Sequence, residues 1–240
     1  MIYLSRLVLD QRNRAVQRDL ADCQQMHRTV MSLFPAAERA DPRSAMGVLY
    51  RLETNPRTGQ VILLLQSGVA PDWSRLEPGY LADTAGEGNP MCKSVDEQYG
   101  RLAPGMRLAF RLRANPTRKI DTRSGPDGER RNGRRVELRR EEEQLDWLRR
   151  KGADCGFDVV EARARPAPGS RAARPGEQTG TRSTQGEAGV ERARLTFAAV
   201  LFEGELEVRD VARFRVALAK GIGPAKAYGF GLLSVAPAGR

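Results

Sequence analysis

The sequence predicts an α+β fold of two tandem ferredoxin-like units. Three observations carry that reading. Each half can be read as β-α-β-β-(α)-β. Its apolar residues alternate in some segments and recur at helical spacing in others. A stretch rich in Arg, Gly and Asp separates the halves, after which the pattern starts over. These features put an N-terminal unit at 1–114, a basic linker at 115–132 and a C-terminal unit at 133–240.

The elements follow in order. Residues 2–9 are aliphatic and β-branched and form a first strand ended by Asp10. Asp22 caps a helix through CQQMHRTVMSLF, closed by Pro35. In it Met26, Val30, Leu33 and Phe34 make a buried stripe, with His27 at its margin. MGVLYRLET and VILLLQSG, joined by NPRTGQ, form a hairpin. Residues 68–105 are irregular, with a short helix at most in PDWSRLEPGY. MRLAFRLRANP then alternates, with Leu108, Phe110 and Leu112 on one face and Arg107, Arg111 and Arg113 on the other.

In the second half RRVELRR is strand-like. EEEQLDWLRRKG is a helix with acids in its first turn and bases in its last, and Gly152 follows it. FDVVEARAR and ARLTFAAVLFEGELEV are strand-like, a helix runs from Asp210 to Gly221, and residues 232–235 form the last strand. The insertion 163–192, almost without large apolar residues, reads as a flexible loop.

Charge bounds the function. The chain has 240 residues, with 40 Lys+Arg against 30 Asp+Glu, a formal charge of +10 and a pI near 10.1. Such a surplus favours a polyanionic partner, of which nucleic acid is the commonest. Residues 101–150 alone hold 15 Lys+Arg and 8 Asp+Glu. Most are Arg, which grips phosphate bidentately and stacks on bases. Arg107, Arg111, Arg113, Arg118, Lys119, Arg131, Arg134 and Arg135 are therefore candidate nucleic-acid contacts.

Cys23, Cys92 and Cys155 lie far apart, which suits a reducing compartment and neither a disulfide framework nor a thiolate zinc site. The N-terminus reads as a strand rather than a signal peptide, and no run is long enough for a membrane span. A cytoplasmic protein with no membrane partner is expected. One histidine, scattered cysteines and no phosphate-loop or nucleophile-elbow motif leave no expected metal or cofactor.

His27 is the only imidazole in the chain, so neutral-pH chemistry that needs one must use it. Arg28 follows it, Gln24 precedes it by one turn, and the helix start at Asp22 offers N–H groups that suit phosphate. The strongest motif is GIGPAKAYGFGLLS at 221–234. Gly221/Gly223 and Gly229/Gly231 form two pairs around Lys226 and Tyr228. Such a loop can offer backbone N–H groups to phosphate.

The two glycine pairs, with FRLRANP, QLDWLRRKG, LFEGELEV and the YLSRLVLD…DLADCQQMHRTV start, resemble the CasE family of CRISPR repeat endoribonucleases, end to end and in order. The resemblance implies a tandem ferredoxin-like protein that binds the hairpin of CRISPR repeat RNA. It also implies that the protein cuts at the hairpin base without metal and stays with its product among the Cascade subunits. It puts the catalytic histidine on His27 and the companion tyrosine on Gln24, which cannot act as acid or base. Tyr228 or Arg28 is then left to take over part of that work, with Arg28 and Lys226 as candidates for charge stabilisation. Alternative readings are a binding-only subunit of the same fold and a generic RNA-recognition module. The second expects aromatic residues on a sheet face, and the chain is only 6% aromatic.

Overall fold

The computed structural model describes residues 1–36, 41–84, 88–119, 135–168, 176–186 and 189–238. The first half contains β1 (Tyr3–Val8), α1 (Arg14–Ala21), α2 (Cys23–Ser32), α3 (Pro42–Ala45), β2 (Leu49–Thr54), β3 (Val61–Ser67) and β4 (Met91–Ser94). Its antiparallel sheet has the order β2-β3-β1-β4, the ferredoxin-like order. The second helix of the unit is reduced to a 3-10 turn, Trp73–Arg75.

Asp22 does cap α2: its Oδ1 accepts from the Gln24 and Gln25 N–H groups at 2.7 and 3.3 Å. The carboxylate thus uses the donors that the sequence offered to phosphate. The stripe Met26, Val30, Leu33 and Phe34 is buried against Leu7, Leu63 and Leu65 of the sheet. Each such side chain stabilises the fold by roughly 1.5–3 kcal/mol.

After α4 (Asp96–Gly100) the second half contains β5 (Arg107–Ala114), β6 (Thr117–Lys119), β7 (Arg135–Glu137), α5 (Glu141–Asp154) and β8 (Phe157–Pro166). β9 (Glu177–Gly186), β10 (Gly189–Ala198), β11 (Val200–Val208), α6 (Val211–Lys220) and β12 (Leu233–Pro237) complete it. The sheet order β12-β5-β11-β8 repeats that of the first half.

Four expectations change. β5, read with the first half, is an inner strand of the second sheet, paired with β11 and β12. Its Leu108, Phe110 and Leu112 pack with Trp147, Phe202 and Leu206. Alternation identifies a strand but not its partner. The stretch expected to be a linker opens with a short strand, β6, which pairs with β7 just beyond its far end. The insertion is not wholly a loop: β9 (Glu177–Gly186) pairs antiparallel with β10 (Gly189–Ala198), and 157–166 is a sheet strand. Finally, α5 runs through Gly152, which is buried beside Phe157, where a Cβ would lie 2.7 Å from the Phe157 carbonyl oxygen.

The halves meet over β2. Arg51, with a side chain only 2% exposed, donates to the Arg111 and Leu232 carbonyls and to Ser234 Oγ. Gln66 Nε2 donates to the Leu218 carbonyl at 2.8 Å, and Tyr50 Oη to the Ala227 carbonyl at 2.9 Å. This seam sets the C-terminal glycine-rich loop against the N-terminal unit.

Candidate active site

A cleft of about 440 Å³ opens where α2, the start of α3, the β9–β10 hairpin and the glycine-rich loop converge. Gln24, His27, Met31, Asp41, Pro42, Arg43, Arg182, Ala227 and Tyr228 line it. His27 comes from the half-buried margin of the α2 stripe. Tyr228 ends a 3-10 turn, Lys226–Tyr228, flanked by Ala225 and Gly229 with positive φ. Gly229 is buried against Tyr50, and a Cβ there would meet its ring at 3.0 Å. A Cβ on Gly231 would lie 2.8 Å from the Ile222 carbonyl oxygen. With φ of 81° and 87°, these two positions need glycine for both backbone conformation and space.

The rings of His27 and Tyr228 meet edge to face, 6.0 Å between centroids. Tyr228 Oη donates to Gln24 Oε1 at 3.2 Å, and its ring stacks on Phe197 at 5.0 Å. A phenol from the other half therefore stands against the very residue where the resemblance leads one to expect a tyrosine. Burial and then the Arg43 charge push the His27 pKa below the ordinary imidazole value, against the pull of the Ala227 carbonyl and Asp41. Burial pushes the Tyr228 phenol up. At neutral pH the pair is a neutral imidazole and a protonated phenol. Among the described residues His27 Nδ1 is buried without a hydrogen-bond partner. Such orphans are uncommon and call for a reason.

The other expected residues divide. Arg28 is exposed and Lys226 half-buried, and neither lines the cleft. Arg113 is not a free RNA contact. Its side chain is buried, bonded to Gln178 Oε1 and the Pro168 carbonyl, with its guanidinium over Phe230. Burial pushes its pKa down to about 10. Arg111 is engaged by Glu53 and Glu203. Exposed Arg107 lies 3.7 Å from Glu207. Arg118, Lys119 and Arg135 are exposed on the β6–β7 arm; Arg131 and Arg134 lie outside the described residues.

Two of the loop N–H groups expected to face phosphate are occupied: Gly221 donates to Ala217 and Gly231 to Arg113. Gly223 instead faces the Trp147 ring and lines a groove of about 690 Å³ with Thr117, Arg135, Arg150, Lys151 and Pro224. Arg43 and Arg182 were missed. Neither lies in a motif, and only the fold brings them beside His27. Among the described residues no three His, Cys, Asp or Glu side chains are grouped to hold a metal ion, and no helix is long and apolar enough to cross a membrane.

The family model described as CRISPR associated protein matches residues 2–237. The chain is 36% identical to CRISPR-associated endoribonuclease Cse3 of Thermus thermophilus, over 98% of this chain and 100% of that one. It is 32% identical to the CRISPR system Cascade subunit CasE of Escherichia coli, with the same coverage. The structure of Thermus thermophilus Cse3 bound to an RNA representing a pre-cleavage complex superposes with a TM-score of 0.69 at 34% identity, covering 98% and 99% of the two chains. Sequence motifs, repeated sheet order and full-length similarity agree: the chain belongs to the CRISPR-associated protein family of Cse3 and CasE.

Proposed function

We propose that this chain is a metal-independent endoribonuclease that binds the hairpin of CRISPR repeat RNA and cuts precursor RNA at the hairpin base. It keeps the product as a subunit of a Cascade-type complex. The observation that carries the reading is the cleft that joins His27 to Tyr228 across the two halves. The relatives' names, an endoribonuclease and a Cascade subunit, support it.

RNA brings its own nucleophile, the 2′-OH beside the scissile phosphate. The protein has to hold it in line, move protons and stabilise charge on the phosphoryl oxygens. A neutral His27 takes the 2′-OH proton. A protonated Tyr228, oriented by Gln24, gives one to the departing 5′ oxygen. Environments that drive two pKa values apart are the usual mark of such an acid–base pair. Cleavage in EDTA is expected to leave a 2′,3′-cyclic phosphate or 3′-phosphate and a 5′-OH. End-labelled repeat RNA checks this. A 5′-phosphate product, or activity lost in EDTA and restored by magnesium, contradicts the 2′-OH route.

Hairpin affinity rests on cations outside the cleft. Among the described residues the exposed Arg118, Lys119 and Arg135, with Arg150 in the adjoining groove, form no ion pair of the kind that engages Arg111. Lys151 does bond Asp154 at its edge. Each phosphate contact contributes roughly 0.7–0.9 to the log–log salt slope. Replacing Arg118, Lys119 and Arg135 together by Ala is expected to flatten that slope by roughly 2. Filter binding across a salt series reads it, and an unchanged slope moves the RNA off this arm.

A further inference from the structure

We propose that Arg182, on the β9–β10 hairpin, binds the non-bridging oxygens of the scissile phosphate, which makes this hairpin part of the active site. The proposal rests on the endoribonuclease reading above and fills the role that Arg28 and Lys226 do not reach.

The hairpin is docked, not loosely attached. Asp22, which caps α2 through one carboxylate oxygen, uses the other to accept the Thr181 N–H at 2.9 Å. Gly180 lies flat on the first turn of α2. A Cβ there would come within 2.7 Å of Cys23 Sγ, 2.8 Å of Asp22 Oδ1 and 3.1 Å of the Gln24 nitrogen. Only glycine allows that approach. On the other strand Phe197 stacks on Tyr228. Strand residues two apart share a face, so Arg182 lies on the side that Gly180 presses to α2, and it lines the cleft beside Gln24. Its charge is near enough to Tyr228 to draw the phenol pKa down, against the larger effect of burial.

The other cleft cation is committed. Arg43 donates to the Val48 carbonyl at 3.0 Å and lies 3.6 Å from Asp41. Arg182 has no ion pair or hydrogen bond among the described residues. An unpaired guanidinium held at the mouth of a cleft with an imidazole and a phenol suits a phosphate, whose oxygens accept its N–H groups two at a time.

The test uses the whole chain and a repeat hairpin RNA. Single-turnover cleavage at saturating protein is expected to slow about 100-fold in Arg182→Ala, the scale for losing one donor to developing charge. Arg182→Lys, which keeps the charge, is expected to recover part of the loss. Affinity for the uncut hairpin with a 2′-deoxy nucleotide at the cut is expected to change less than about fivefold. A binding readout is independent of turnover. Wild-type protein is expected to prefer product RNA ending in a 3′-phosphate over the same RNA ending in a 3′-OH, and Arg182→Ala to lose that preference. Cleavage by Arg182→Ala at the wild-type rate, or a retained 3′-phosphate preference, overturns the assignment. A wild type that cuts no repeat RNA overturns the endoribonuclease reading instead, while the 3′-phosphate comparison still judges Arg182.

Discussion

His27→Ala is expected to bind hairpin RNA almost as wild type does and to cut it at least about 100-fold more slowly, the lower end of what general acid–base catalysis supplies. The chain has no second histidine to substitute. The side chain sits at the margin of the α2 stripe with Nδ1 unpaired among the described residues, and its removal gives up only the contact with the Ala227 carbonyl at the cleft wall. The stability change is expected within about 0.5 kcal/mol. Affinity, spread over many phosphate contacts, is expected to fall less than about fivefold. The pH profile sharpens the assignment. The rate at subsaturating RNA reports the free enzyme. His27 titrates below 6.5 there. If it is the base, activity persists as pH falls through 6.5 and is lost only below it. Wild type is expected to show that acid limb and His27→Ala to lack it. Equal cleavage rates in the two proteins overturn the role of His27.

Much of this arrangement was legible in the chain. The α2 stripe, the β2–β3 hairpin and the last helix and strand follow from apolar spacing and capping, because those are local. His27 and Tyr228 were each picked out, one as a lone imidazole and one within paired glycines. Their meeting is a property of the seam between halves and has no local signature. Arg113 misled because both faces of β5 are covered at its C-terminal end: the core takes Leu112, while Gln178 and Phe230 enclose the guanidinium. Alternation with Arg reads as a solvated face when the cover comes from a distant insertion. That insertion was itself misread. Its strand β9, EQTGTRSTQG, has no large apolar residue, and its anchors are a backbone N–H on Asp22 and a glycine on a helix turn. Neither anchor raises hydrophobicity, so composition alone predicts a loop. Arg182 was hidden with it.

Arg51→Ala is expected to destabilise the protein by about 3 kcal/mol, the lower end of what removing one partner of a buried charge pair costs. The guanidinium is buried at the seam, where it bonds two carbonyls and a hydroxyl of the C-terminal half, and Glu53 of its own strand lies 2.6 Å away. Burial lowers its pKa, opposed by Glu53; an arginine nonetheless stays charged. Truncation takes the donor from the buried Leu232 carbonyl and from the part-buried Arg111 carbonyl, and an unmet buried acceptor costs roughly 1–3 kcal/mol. Glu53 keeps Arg111 as a partner, which holds the loss to the low end. Exposed Arg107→Ala serves as the comparison, with a change expected within about 0.5 kcal/mol. Denaturant unfolding of the three proteins reads the difference, and an Arg51→Ala loss below about 1 kcal/mol, no more than surface pairs give, contradicts the seam. The consequence reaches the cleft. Arg51 is the β2 neighbour of Tyr50, whose hydroxyl holds the Ala227 carbonyl beside Tyr228. If the seam loosens, Tyr228 shifts relative to His27, and misplacement by about 1 Å can cost about 100-fold in rate. Folded Arg51→Ala at low temperature is therefore expected to cut more slowly than Arg107→Ala, although Arg51 itself lies outside the cleft.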